Sequence, residues 1–225
     1  MTLYFSILTL VFGTLIGSFL NVCIYRIPKG ESLRYPISHY MSSISIRYII
    51  IVISTGLITL FVIWNMGFSL GSLKLLLLIY WLIVIGVIDL DTTDIYTKTT
   101  VSGMLIGVCF IILSAMTEGS TVSTWDFVLG GLTGGGLIAL IVLLTNGMGW
   151  GDAELFFMCG LFIGFKLTIL ALLLSFIIGA IVGLTLIATK KKTRKDYIPF
   201  GPYIALAVII STIYGNRIIE LYFSL

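Results

Sequence analysis

A chain of 225 residues that is 59% hydrophobic and only 10% charged, with a mean hydropathy of +1.16, departs from water-soluble domains, in which about 25% of residues are charged. Such a composition belongs in a bilayer, and at about 20 residues per spanning helix the length holds at most about eight spans with no separate soluble domain. The formal net charge of +3 matters less than where the charges lie, and no nucleic-acid partner is expected.

Apolar runs at residues 3–24, 48–66, 71–88, 100–116, 125–145, 153–165, 167–189 and 200–223 predict an all-α polytopic fold of about eight helical segments, a single integral membrane domain over 1–225. The first run has no basic n-region and no small-residue cleavage site, and it is too long for a signal-peptide core, so it reads as a span. The sixth run, of about 13 residues, is short of a full crossing and must be tilted, re-entrant or shielded by neighbours. Gly13 and Gly17 are spaced as G-x-x-x-G, and Gly130, Gly131, Gly134, Gly135 and Gly136 crowd the fifth run. Small residues let helix backbones approach closely in lipid, so these glycines mark helix contacts.

Orientation follows from Lys and Arg. Arg26, Lys29, Arg34 and Arg47 lie in loop 25–47, Lys98 in loop 89–99, and Lys190, Lys191, Lys192, Arg194 and Lys195 in loop 189–199, against Lys74, Lys166 and Arg217 on the other side. The first set marks the cytoplasmic face, which leaves both termini outside and loop 146–152 in the cytoplasm. The basic run 190–195 suits anionic lipid and topology. Trp64, Trp81 and Trp125 fall near interfaces, where indole favours the boundary. Pro199 and Pro202 flank the start of the last span, where the first helical turn tolerates proline. Cys23, Cys109 and Cys159 each stand alone in apolar surroundings and His39 is the sole histidine, so neither a disulfide nor a metal site is indicated.

Carboxylates near the membrane are costly and often functional. Asp89 closes the third span, in Ile88-Asp89-Leu90-Asp91-Thr92-Thr93-Asp94-Ile95, and Asp152 opens the sixth, in Gly149-Trp150-Gly151-Asp152-Ala153-Glu154. Taken singly, Asp152 reads as a helix N-cap and Asp89 as a solvated boundary residue. Together they lie on one membrane face and form a candidate aspartyl dyad. Two neighbouring carboxyls cannot both ionise cheaply, so one keeps a proton as the acid while the other activates water as the base. Asp91, Asp94 and Glu154 compete for these roles on spacing alone, although Asp91 and Asp94 lie further from the bilayer.

Gly149-Trp150-Gly151-Asp152 resembles the G-x-G-D signature of polytopic aspartyl proteases, and Asp89 with Ile95 is similar to the other half of the type IV prepilin peptidase pattern. Gly13-Thr14-Leu15-Ile16-Gly17-Ser18-Phe19-Leu20-Asn21-Val22-Cys23-Ile24-Tyr25-Arg26-Ile27-Pro28 resembles the family's opening segment. Pro36-Ile37-Ser38-His39, Ile44-Ser45-Ile46-Arg47-Tyr48 and Ile198-Pro199-Phe200-Gly201-Pro202-Tyr203 resemble further family blocks, in order from residue 13 to residue 203. The resemblance implies a bacterial inner-membrane endopeptidase with Asp89 and Asp152 as the catalytic pair. It would cut the short basic leader from prepilins, pseudopilins or competence pilins at a Gly-Phe-type junction on the cytoplasmic face. Gly149 and Gly151 would let the loop pass close to the substrate backbone; Trp150, by its place inside that loop, is a candidate substrate contact, with an interface role as the alternative.

Three positions depart from the family pattern. The family often carries, after its Pro-x-Ser-His block, a zinc-binding insert with two C-x-x-C pairs, associated with S-adenosylmethionine-dependent methylation of the new N-terminus. Here loop 25–47 is short and has no cysteine, so zinc and S-adenosylmethionine find no support and N-methylation is left open; proteolysis needs no cofactor. Tyr96-Thr97 stands where Pro-Asp is common, and Glu154 where Lys is frequent. The rivals are a transporter or channel using Asp89 and Asp152 for cations or protons, a different G-x-G-D protease, and a non-proteolytic pilus-assembly scaffold. Transporter sites tend to lie near the midplane, whereas both aspartates are expected at one face. The Gly-Ser-Phe-Leu-Asn block argues against a preflagellin or signal peptide peptidase.

Overall fold

The computed structural model describes residues 3–33, 45–118, 121–145, 147–193 and 196–224. The described residues form seven helices: α1 Leu3–Lys29, α2 Ile46–Met66, α3 Leu70–Thr92, α4 Thr97–Glu118, α5 Thr121–Thr145, α6 Trp150–Ala188 and α7 Gly201–Phe223. All seven are long and apolar enough to cross a bilayer. The chain divides into two compact units, Met1–Ile88 and Asp89–Leu225. The Pro36–His39 block lies outside the described residues.

In the first unit the G-x-x-x-G spacing acts as expected. A methyl group on Gly13 would stand 2.5 Å from Thr59 Oγ1 and 2.9 Å from Gly56 Cα, and one on Gly17 2.9 Å from Val52 Cα. The α1 and α2 backbones therefore touch along a seam of small residues. Hydrogen bonds join the same helices at the Lys29 end of α1. Ser18 Oγ and Tyr48 Oη lie 2.7 Å apart, and Asn21 Nδ2 donates to Gly17 O and Tyr48 O at 3.0 and 3.4 Å. Ser45, rather than a residue inside the apolar run, starts α2 by accepting the Tyr48 N–H.

In the second unit the sixth and seventh expected segments are one 39-residue helix, α6, broken at Gly164 with φ 79° and ψ 173°. Only glycine adopts that backbone without strain. Contacts with α5 give the direction of each arm. Gly130 faces Gly160 and Gly164, while Gly134 faces Phe156 and Thr168. Along α5 the first arm therefore steps backwards, from 160 to 156, and the second steps forwards, from 164 to 168. The two arms run in opposite directions against α5, and α6 is a helical hairpin.

The first arm, 150–163, rises only about 21 Å, shorter than the ~30 Å hydrocarbon core. Its neighbours shield it: Leu155, Phe156, Met158 and Cys159 are fully buried. The crowded glycines of α5 are the reason it fits, since Gly130 and Gly160 meet backbone to backbone. Gly136 is the exception in that cluster, with open space around it. The second arm packs on α7, where Gly179 receives the ring of Phe200 and Gly215 receives Leu167.

Candidate active site

Asp89 sits in the last turn of α3, at 2% exposure. Its Oδ2 accepts the Gly201 N–H at 2.8 Å. Gly201 is the first residue of α7, with Pro202 behind it and Phe200 as N-cap, so Asp89 faces the partial positive end of a helix. Aromatic packing fixes that end in place: Phe200 lies 5.5 Å from the Phe176 ring and 6.2 Å from the Tyr203 ring, centroid to centroid. This gives the Ile198–Tyr203 block a physical purpose. Beyond Asp89, the Thr93 N–H donates to Asp89 O at 2.8 Å, and Thr93 takes the left-handed conformation, φ 56°. That bend ends α3 and turns the chain toward Ile95, at a cost for a β-branched residue.

Asp152 is buried as well, at 3% exposure. It is not the N-cap: Gly149 holds that position and Asp152 is the third helical residue of α6. The carboxylate reaches back to accept the Gly149 N–H at 3.1 Å, while the Asp152 N–H donates to Gly149 O at 3.1 Å. This is the backward half of a capping box, and it fixes the side chain at the start of the first arm.

Asp89 and Asp152 line one cleft of about 160 Å³. Thr93, Asp94 and Ile95 form one wall, Gly149, Trp150 and Gly151 another, and Tyr197 closes it from the loop before α7. Trp150 is 57% exposed and presents its ring at the rim. Gly151 owes its identity to packing inside the protein: a methyl group there would lie 2.7 Å from Ile95 Cβ and 3.2 Å from Ile95 O. Gly149 is under no such pressure, since a methyl group would stand 3.6 Å from both Asp152 Oδ2 and Tyr197 Oη.

The competing carboxylates separate by environment. Asp91 is exposed and outside the cleft, and Asp94 is exposed at its rim. Glu154 accepts the Thr97 and Thr100 hydroxyls at 3.2 and 2.6 Å, tying the start of α4 to α6. Tyr197 was not singled out by sequence. Its one signal was position, directly before the Ile198–Tyr203 block. Burial, then the negative charges of Asp152, Asp89 and Asp94, push its phenol pKa up. Among the described residues no group of three or more His, Cys, Asp or Glu side chains is placed to hold a metal ion.

Two protein-family models match the chain: the type IV leader peptidase family over residues 76–184 and the bacterial peptidase A24 N-terminal domain over residues 11–43. A prepilin leader peptidase/N-methyltransferase of Stutzerimonas stutzeri is 27% identical, covering 98% of this chain and 94% of its own. Proteins of the same name from Legionella pneumophila and Bacillus subtilis are 34% and 30% identical, over 80% and 69% of this chain and 63% and 61% of theirs. The Stutzerimonas alignment runs to 276 positions although this chain has 225 residues, so the relative carries inserted residues that this chain lacks. No solved structure matches. The family match decides against the transporter or channel. The motifs, the helices and both family models agree: this multi-pass membrane chain belongs to the Peptidase A24 type IV leader peptidase family of aspartic endopeptidases.

Proposed function

We propose that the chain removes the short basic leader from type IV prepilins, pseudopilins or competence pilins, cutting at a Gly-Phe-type junction on the cytoplasmic face of the bacterial inner membrane. The observation that carries this reading is the pair of buried carboxyls, Asp89 and Asp152, lining one cleft, each with one oxygen held by a backbone N–H. The second oxygen of each is left for water and for the shared proton. The ionised carboxyl takes a proton from water, whose oxygen attacks the scissile carbonyl carbon. The protonated carboxyl gives its proton to the carbonyl oxygen, and on collapse the C–N bond breaks as the nitrogen is protonated. No covalent intermediate is needed.

The relatives' printed name supports the substrate class. Asp94 at the rim adds negative charge where a basic leader would lie, and the skew of Lys and Arg supports the cytoplasmic orientation. Loop 25–47 has no cysteine, so the proposal is confined to proteolysis and leaves N-methylation outside it. The test is mass spectrometry of the products after incubating the full chain in proteoliposomes with a membrane-embedded prepilin bearing a Gly-Phe junction. A new N-terminal Phe supports the reading. An intact pilin, or a cut elsewhere, overturns it.

A further inference from the structure

We propose that Tyr197 is a catalytic hydrogen-bond donor, its phenol meeting the scissile carbonyl oxygen as the water held by Asp89 and Asp152 attacks. The inference rests on the peptidase reading above.

Free hydrogen-bond donors are few in the cleft. Negative charge grows on the carbonyl oxygen during attack, and preoriented donors aimed at it are a large source of rate. Asp94 and the ionised member of the Asp89–Asp152 pair offer acceptors only, the acidic carboxyl gives its proton away in the step, and the Trp150 indole sits at the exposed rim. The Thr93 hydroxyl already donates to Thr92 O at 2.7 Å, and the Gly149 N–H is committed to Asp152. The Tyr197 hydroxyl, by contrast, makes no hydrogen bond among the described residues; the residue is engaged at its backbone carbonyl, which accepts from Lys192 Nζ at 3.4 Å.

Its placement suits the task. The space a methyl group would take on Gly149 lies 3.6 Å from Tyr197 Oη and 3.6 Å from Asp152 Oδ2. Glycine at 149 thus leaves room between the phenol and the carboxyl, where a peptide can enter. The backbone under Tyr197 is held on both sides. Asp196 Oδ2 accepts the Thr193 N–H at 2.6 Å before it, and Phe200 packs on Phe176 after it. Burial, and after it the surrounding carboxylates, oppose loss of the phenol proton, so the group stays a donor. In the step itself the water oxygen bonds to the carbonyl carbon and the π pair moves to the carbonyl oxygen. That oxygen accepts the Tyr197 hydrogen bond and then the proton of the acidic carboxyl. Tyr197 keeps its own proton throughout.

The test compares wild type, Asp89→Asn, Asp152→Asn and Tyr197→Phe in proteoliposomes with a Gly-Phe prepilin, alongside thermal unfolding of each. Tyr197→Phe is expected to lower kcat by about 100- to 1,000-fold with KM nearly unchanged. As a second variant, 2,3,5,6-tetrafluorotyrosine at 197 keeps ring and hydroxyl but is acidic enough to ionise before the acidic carboxyl loses its proton, and it is expected to move the alkaline limb of the kcat profile to lower pH. That variant decides the matter if Tyr197→Phe does not fold. Unchanged kcat in Tyr197→Phe, a loss confined to KM, or an unmoved alkaline limb overturns the donor role and leaves the peptidase intact. A wild type that cuts nothing, or Asn variants that cut as well as it does, overturns the reading beneath and the donor role with it.

Discussion

The Gly201 N–H donates to Asp89 Oδ2 at 2.8 Å across 112 positions of sequence. A methyl group on Gly201 would stand 2.8 Å from that oxygen and 3.2 Å from Asp89 Cβ, so the first residue of α7 and the carboxyl at the end of α3 leave each other no slack. Gly201→Ala is therefore expected to displace Asp89 and to lower kcat by about 10- to 100-fold, the scale of a misplacement near 1 Å. Cleavage kinetics beside thermal unfolding check this, with most of the effect expected on kcat.

Gly151 makes a similar close approach to Ile95. Gly151→Ala is expected to lower activity by pushing the 93–95 wall away from Asp152. Adding Ile95→Ala removes the clash and is expected to recover part of the loss. A double-mutant cycle reads the coupling, which should be clearly non-additive for residues in contact.

Glu154 is engaged by two threonine hydroxyls and has a structural task in this account. Glu154→Gln keeps an acceptor and is expected to cleave within about threefold of wild type. Glu154→Ala removes both threonine contacts, although the Thr100 hydroxyl keeps Thr97 O as an acceptor at 3.0 Å, and is expected to cost about 0.5–1.5 kcal/mol of stability. Denaturation and cleavage measured on both variants separate the two effects.

The glycines of α5 and of the α6 arm packed on it differ sharply from one another. A methyl group on Gly160 would run into the Gly130 backbone, which cannot yield as a side-chain tip can. Gly160→Ala is expected to cost about 3 kcal/mol or more and to abolish folding in many conditions. Gly136 has open space, and Gly136→Ala is expected to gain about 0.5–1 kcal/mol from helix propensity. Thermal unfolding in a common detergent compares them.

Hydropathy made the helices legible, because a bilayer demands long apolar runs whatever the tertiary contacts. It marked the two arms of α6 as separate runs on either side of Lys166, but not that one helix assignment runs through both with the break at Gly164, inside the first run; contacts with α5 show the reversal itself. Asp89 and Asp152 stood out because charge is scarce in this chain. Asp152 was misplaced by three residues as an N-cap, since Gly149 supplies the cap and the carboxylate bonds backwards. Glu154 could not be separated from the pair by spacing, because its partners Thr97 and Thr100 are over fifty positions away. The same distance in sequence hid the contact between Gly201 and Asp89 and the turn of Tyr197 into the cleft.

The most direct measurement is cleavage of a membrane-embedded Gly-Phe prepilin by wild type, Asp89→Asn and Asp152→Asn at matched expression and matched thermal stability. Wild type is expected to shorten the pilin, and each single substitution to abolish this. An Asn variant that cuts as well as wild type would contradict the assigned pair.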